Sequence, residues 1–328
     1  MRRTLVGVLG LALVATGCGG KREDAPAAQQ PGGGQAACEA ADGRVTIATG
    51  NVGGVYYVLG GGLAQVISNN SKLKATAADT GASVQNIQQL GDKTYDIAFS
   101  LADTAADAVQ GKSAFEGKPQ KVQALARIYS NYTQVVVRAD SGINSVADFR
   151  GKRISTGSPK SGTEVIANRL LQAAGLKDTD LSPQRLALRQ TVDGMKEGKI
   201  DGLVWSGGLP TPEITDLTTS MGDKVKFIDI TPQLGALKQL NQVYDQGTIP
   251  AATYKQPADV PTVVVPNFLL VREDFPAGNA CAVTKLIFDK KADLEKTHPS
   301  AKDITKETAV KTDPVPLHPG AKQALGVS

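Results

Sequence analysis

The chain has 328 residues, more than one minimal domain needs and enough for two. Charged residues make up 21% and apolar residues 41%, the balance of a folded body rather than a disordered or fibrous chain. The formal net charge of +4 comes without any run of basic residues, which leaves no case for nucleic acid as a partner.

The first residues read as an export signal. Arg2 and Arg3 precede an apolar run from Leu5 to Ala15, followed by Thr16-Gly17-Cys18. A charged start, a short apolar core and small residues at the cleavage point are the parts of a secretory signal over residues 1–17. The apolar run is too short to be a permanent membrane span, and no later segment is long and apolar enough to cross one. Ala15-Thr16-Gly17-Cys18 resembles the lipobox of a bacterial lipoprotein, which implies that Cys18 is acylated; ordinary secretory cleavage nearby is the alternative. Residues 18–40 are rich in Gly, Ala, Gln and Pro without apolar periodicity and read as a tether. In an exported protein the two remaining thiols, Cys38 and Cys281, favour a disulfide over two free cysteines. The only histidines, His298 and His318, each precede proline, and no metal-ligand cluster or bound cofactor is expected.

The body opens with a β-branched run, Val45 to Ala48, then Gly50, Gly53 and Gly54, then Val55, Leu59, Leu63 and Val66 at helical spacing. Strand, glycine loop and helix put ligand-accessible backbone at the carboxyl edge of a sheet, where free N–H groups attract an anion. Tyr56 and Tyr57 at the loop exit are either an aromatic wall or core. The pattern repeats with a strand at Leu73–Asp79 before Thr80-Gly81-Ala82-Ser83, and a strand at Tyr95–Ser100 before Asp103. Thr49, Thr80, Ser83, Ser100 and Asp103 then meet on one edge, as ligand contacts or as plain helix caps. Strands follow at Val122–Tyr129, Thr133–Arg138 and Lys152–Thr156. Gly157 to Glu164 forms a second Gly/Ser loop before a helix, and Ser161 and Thr163 there make a carboxylate seat or a capped surface turn. A short strand at Leu186–Leu188, a helix at Thr191–Gly198 and a strand at Ile200–Trp205 come next. Trp205, the only tryptophan, is core or a ligand-stacking wall. A helix lies within Thr211–Lys226, Val243–Tyr254 reads as loop, and Thr262–Val271 is a long strand suited to a return crossing. Helices at about Ala280–Leu294 and Ala301–Lys311 complete the chain.

Two α/β lobes joined by hinge strands therefore describe the chain: a two-lobed, periplasmic-binding-protein-like fold with lobe 1 at residues 41–135 and 262–328 and lobe 2 at 136–261. Ligand would sit between the lobes.

Ile47-Ala48-Thr49-Gly50 with Gly53-Gly54-Val55-Tyr56-Tyr57, Thr80-Gly81-Ala82-Ser83-Val84-Gln85-Asn86, Tyr95-Asp96-Ile97-Ala98, Ser158 to Glu164, Gly198-Lys199-Ile200-Asp201-Gly202 and Leu317-His318-Pro319-Gly320-Ala321 resemble the TAXI family. These are the extracytoplasmic solute receptors of tripartite ATP-independent periplasmic (TRAP) transporters. The resemblance runs from about Val45 to Ala321. It implies a receptor without catalysis that delivers a small carboxylate, such as glutamate, glutamine or a 2-oxo acid, to an integral-membrane permease driven by an ion gradient. It implies ligand contacts at Thr49, Gly50, Tyr56, Tyr57, Thr80, Ser83 and Asp103 in one lobe, at Ser158, Ser161 and Thr163 in the other, and more weakly at Trp205 and Gly207. Ala82 replaces the family's usual glycine and Gln85 its usual glutamate, departures that bear on the ligand more than on the fold. Asp103 could hold an ammonium group; if it only caps its helix, a 2-oxo acid fits better than an amino acid. The body is expected to be a monomer held at the cell membrane by its lipid. A sensing lipoprotein for a membrane kinase would look the same. An exported enzyme on a small carboxylate is the remaining alternative, against which stand the missing Gly-x-Ser-x-Gly elbow and metal cluster.

If Cys18 carries the lipid, Cys18→Ser moves the protein from the membrane to the soluble fraction of fractionated cells. A variant that still sediments with membranes contradicts the anchor.

Overall fold

The computed structural model describes residues 38–328. The signal peptide, Cys18 and the tether up to residue 37 lie outside the described residues. One sheet of ten strands runs through the body: β1 (Gly43–Ala48), β2 (Leu73–Ala78), β3 (Ile97–Leu101), β4 (Val122–Arg138), β5 (Arg153–Ser155), β6 (Ser182–Gln184), β7 (Gly202–Gly207), β8 (Val225–Phe227), β9 (Asp245–Ile249) and β10 (Val260–Arg272). Their order is β2-β1-β3-β10-β4-β7-β5-β6, with β8 on β4 and β9 on β10.

Lobe 1 is built on β2-β1-β3, which pair in parallel, as successive βα units must when each helix returns the chain to the same edge. Helices α1 (Val55–Asn70), α2 (Ser83–Gly91) and α3 (Ala102–Gln110) make those returns. Lobe 2 repeats the scheme with β7-β5-β6 in parallel and α4 (Gly162–Ala173), α5 (Leu188–Lys196) and α6 (Pro212–Met221). The chain continues through α7 (Leu234–Leu240) and α8 (Ala251–Tyr254), crosses on β10, and ends with α9 (Ala277–Asp289), α10 (Lys291–Thr297), α11 (Lys306–Ala309) and α12 (Pro319–Leu325).

The segments expected as two strands, Val122–Tyr129 and Thr133–Arg138, are one 17-residue strand. Tyr129-Ser130-Asn131 looks like a break because it is polar, yet its backbone stays in the ladder. β4 pairs antiparallel with β10 up to Tyr132, and from Tyr132 onward its other edge takes β7. β4 and β10 thus carry the chain between the lobes as neighbouring strands.

Other differences have local causes. The strand expected at Leu186–Leu188 lies earlier, at β6, and Leu188 opens α5 instead. The loop expected at Val243–Tyr254 contains β9, whose only fully buried residue is Ile249, so its pattern carries no strand signal. Within Thr211–Lys226, α6 ends at Met221 because Gly222 turns to φ +56°, and β8 follows. α12 packs on α9 so closely that a side chain at Gly320 would lie 2.2 Å from the Ala277 carbonyl oxygen.

Cys38 and Cys281 are joined by a disulfide that ties the start of the described chain to α9 across 243 residues. Closing so long a loop constrains the unfolded chain, an effect of about 2–5 kcal/mol for native bridges. Reduction with dithiothreitol should lower the melting temperature measured by circular dichroism. An unchanged melting temperature would deny the bridge that stabilising effect.

Candidate functional site

Three helix starts, the end of β7 and the middle of β4 line a cavity between the lobes. Lobe 1 supplies Gly50 to Tyr56 and the Ala82-Ser83 start of α2; lobe 2 supplies Ser161 to Thr163 and Trp205 to Gly207. Tyr129 and Asn131 of β4 form the floor between them. The cavity holds only about 30 Å³. That is room for roughly one or two waters, so any larger guest needs the lobes to part.

A chain of amides braces the floor. The Tyr56 hydroxyl donates to Asn267 Oδ1 on β10. Asn267 Nδ2 donates to the Tyr129 carbonyl at 3.0 Å and to Asn131 Oδ1 at 2.9 Å. Asn131 Nδ2 in turn donates to the Ser206 carbonyl at 3.1 Å, so the brace spans from the first helix of lobe 1 to the end of β7. The hydroxyls of Tyr129 and Ser206 are buried beside the cavity and have no hydrogen-bond partner in the protein. An unpartnered buried hydroxyl costs stability, and a water or a bound solute in the cavity would supply the missing partner for these two. Burial, then the neighbouring Tyr129, pushes the Tyr56 phenol well above its ordinary pKa; burial does the same to Tyr129. Both remain neutral O–H donors at physiological pH.

No ionised side chain lines the cavity among the described residues. Positive potential comes instead from the backbone. α1, α2 and α4 all begin at the cavity wall, where first-turn N–H groups lack intrahelical partners and the helix dipoles add.

Of the residues expected at the site, Gly50, Tyr56, Ser83, Ser161, Thr163, Trp205 and Gly207 line the cavity. Ser161 caps α4 by accepting from Glu164 N at 3.0 Å, and Thr163 Oγ1 accepts from Ser206 N at 3.2 Å. The Ser83 hydroxyl oxygen accepts from Leu101 N at 3.0 Å. Trp205 donates its indole N–H to Thr211 Oγ1 at 3.2 Å, with its ring against Gly54. At Gly207 any Cβ would lie 2.3 Å from the indole nitrogen, so only glycine fits.

Five expected contacts lie elsewhere. Thr49 donates to the Ala78 carbonyl at 2.7 Å, tying β1 to the end of β2. Thr80 donates to Asn86 Oδ1 at 2.6 Å and accepts from Ala82 N at 3.0 Å, which shapes the turn before α2. Tyr57 points outward and is 39% exposed. Ser158 donates to Asn51 Oδ1 at 2.7 Å, a clasp between the lobes at the rim. Asp103 is fully buried beneath the cleft, where its carboxylate accepts from Arg169 Nη1 at 2.8 Å and from the Tyr244 hydroxyl. A lobe 2 guanidinium thus occupies one of its oxygens, while the other, Oδ1, accepts from Thr104 N at 2.7 Å.

Tyr129, Asn131 and Ser206 were not expected. The polar interruption Tyr129-Ser130-Asn131 in an apolar strand was the available signal, and Ser206 adjoins Trp205 in sequence. The histidines are caps: His298 accepts from Ser300 N and His318 from Gly320 N, each at 3.1 Å, with burial holding both below the usual imidazole pKa. No group of His, Cys, Asp or Glu among the described residues is arranged to hold a metal ion.

Two parallel α/β halves, paired crossover strands and an enclosed cleft define the two-lobed fold of solute-binding proteins. The chain belongs to the NMT1-like family, whose model matches residues 47–325. In structure it is similar to a protein of Bordetella bronchiseptica RB50 (TM-score 0.55, 20% identity, covering 86% of this chain and 88% of that one). It is also similar to a Xanthomonas citri protein bound to ATP (TM-score 0.50, 12% identity, covering 86% and 94%). The alkanesulfonate-binding protein SsuA of Xanthomonas axonopodis pv. citri, bound to MOPS, matches at TM-score 0.49 and 15% identity, covering 88% and 85%.

Ala82, on the cavity wall, sits at φ 84° and ψ −148°, a region that only glycine occupies without strain. Ala82→Gly should therefore raise the melting temperature, by relief of roughly 1–3 kcal/mol of strain less the entropy glycine adds to the unfolded chain. A lower melting temperature would show that the Ala82 methyl packs better than its backbone suffers.

Proposed function

We propose that the protein is an extracytoplasmic receptor of the TAXI type, which captures a small carboxylate between its lobes and hands it to the membrane permease of a TRAP transporter. The observation that carries this reading is the enclosed cleft with the unpartnered hydroxyls of Tyr129 and Ser206 on its wall. Membership of the NMT1-like family, the two-lobed fold and the ordered TAXI-like motifs support it. Export and a lipid anchor at Cys18 rest on the N-terminal sequence.

The solute's carboxylate seats at the start of α4, against Ser161 and Thr163, where backbone N–H groups and the helix dipole replace a cationic side chain. The rest of the solute lies toward Trp205, Tyr56 and Tyr129. Because Asp103 is bonded to Arg169, no carboxylate on the cavity wall answers an ammonium group. A 2-oxo monocarboxylate, with a second oxygen acceptor for Tyr129 or Ser206, fits this wall better than an amino acid. Known ligand pockets run to about 300–1,000 Å³, so binding requires the lobes to open and reclose around the solute.

Tyr129→Phe removes one hydroxyl that has no other partner. It should weaken the best carboxylate ligand by about 1–3 kcal/mol, roughly five- to a hundredfold in Kd, while leaving thermal stability in the absence of ligand unchanged or slightly raised. Thermal-shift titration of both proteins measures this. Equal affinities would place the solute away from Tyr129 and undo the proposed seat.

A further inference from the structure

Among the described residues, the two most deeply buried carboxylates, Asp103 and Asp107, lie between the lobes and outside the cavity. Arg169, on the second half of α4, reaches across to α3. Its Nη1 bonds Asp103 Oδ2 at 2.8 Å and its Nη2 bonds Asp107 Oδ2 at 2.5 Å. The side chains are 10%, 0% and 6% exposed, respectively. Tyr244, also from lobe 2, donates to Asp103 and accepts from Arg169 Nη1 at 3.0 Å, with the guanidinium 5.9 Å from its ring centre. Asn241 Nδ2 donates to the Asp103 backbone carbonyl at 3.2 Å. Asp103 and Asp107 are one helical turn apart on α3, a spacing that presents both carboxylates to one planar, two-pronged cation.

We propose that Arg169, Asp103 and Asp107 form a latch that holds the lobes closed without solute. The purpose assigned to the latch rests on the solute-binding reading of the cleft; the closed geometry does not. Other polar contacts between the lobes are neutral, among them Ser158 with Asn51, Gln85 N donating to the Lys160 carbonyl at 3.1 Å, Ser300 Oγ donating to the Leu209 carbonyl at 3.2 Å and His298 Nε2 with the Pro210 carbonyl at 3.0 Å. Asp103 and Arg169 each make several bonds and Asp107 makes its one to Arg169, so the ion pairs are backed by the additional hydrogen bonds that help a buried pair repay its desolvation. Arg169 is thus a positioning residue. It never touches the cavity, yet it sets how often the cavity opens, and solute enters during the intervals when the latch is broken.

The single tryptophan reports closure directly. Trp205 lines the cavity from lobe 2 with its ring against Gly54 of lobe 1, and it is 8% exposed. In the full chain, with no solute added, acrylamide quenching of Trp205 should be weak and its emission blue-shifted. Arg169→Met leaves two carboxylates unpaired and should open the lobes, with a red shift and a several-fold larger quenching constant. That result alone would also follow from stranding buried charges, so the deciding variant is the charge-free triple D103N/D107N/R169M. The latch predicts an open, strongly quenched Trp205 in the triple as well, with far-UV circular dichroism and a cooperative melt matching the wild type. A triple as protected as the wild type would overturn the latch, as would a wild-type tryptophan already quenched as strongly as that of Arg169→Met. No solute takes part in these measurements, so a cleft that binds no carboxylate would leave their outcome intact and would count only against the proposed function.

Discussion

The pairing of β4 with β10 is the constraint on which the rest depends. Two long antiparallel neighbours run through both halves of the sheet, so the lobes share a continuous hydrogen-bonded spine rather than a loose linker. Where β4 exchanges its edge partners near Tyr132, Ser130 and Tyr132 stay half-buried on one face while the other face carries the buried Tyr129 and Asn131 beneath the cavity. Asn267 on β10, at a register shift against β4, finds its partners at the same level, and α1 brings the Tyr56 hydroxyl to it to complete the Tyr56–Asn267–Asn131–Ser206 brace. A one-residue slip of either strand would turn its asparagine, Asn131 on β4 or Asn267 on β10, to the opposite face.

The distribution of charge follows a second rule. The charges at the lobe interface leave water as a paired group, and breaking such a buried pair typically costs about 3–5 kcal/mol. Asp103, Asp107 and Arg169 satisfy one another, which leaves the cavity wall neutral and its field to the helix starts. The same division explains why an acidic residue at the end of β3 need not face a ligand.

Much of the fold is legible in the sequence because its signals are local. Val45 to Ala48 followed by Gly53, Gly54 and the apolar spacing of α1 states a βα unit outright, and the loops before α2 and α4 repeat it. Those loops carry seven of the expected cavity residues with the end of β7, because helix starts at strand ends are fixed by chain geometry. What stayed hidden depends on distant partners. Arg169 meets Asp103 across 66 residues and only when the lobes are together. β9 is a polar strand whose sole reason for being one is β10 beside it. Tyr129 to Asn131 interrupts an apolar pattern, and the interruption is the cavity floor rather than a turn. Thr49 and Thr80 are small hydroxyls at helix starts, and nothing local separates a hydroxyl that shapes a turn from one that meets a solute.

Isothermal titration calorimetry with matched pairs of small monocarboxylates, each a 2-oxo acid and its 2-amino counterpart, tests the central claim most directly. The account predicts one-to-one binding at the cleft, with the 2-oxo acid the tighter of each pair because no carboxylate faces its α position. Tighter binding of the amino acids, or no heat with any small carboxylate, would contradict it.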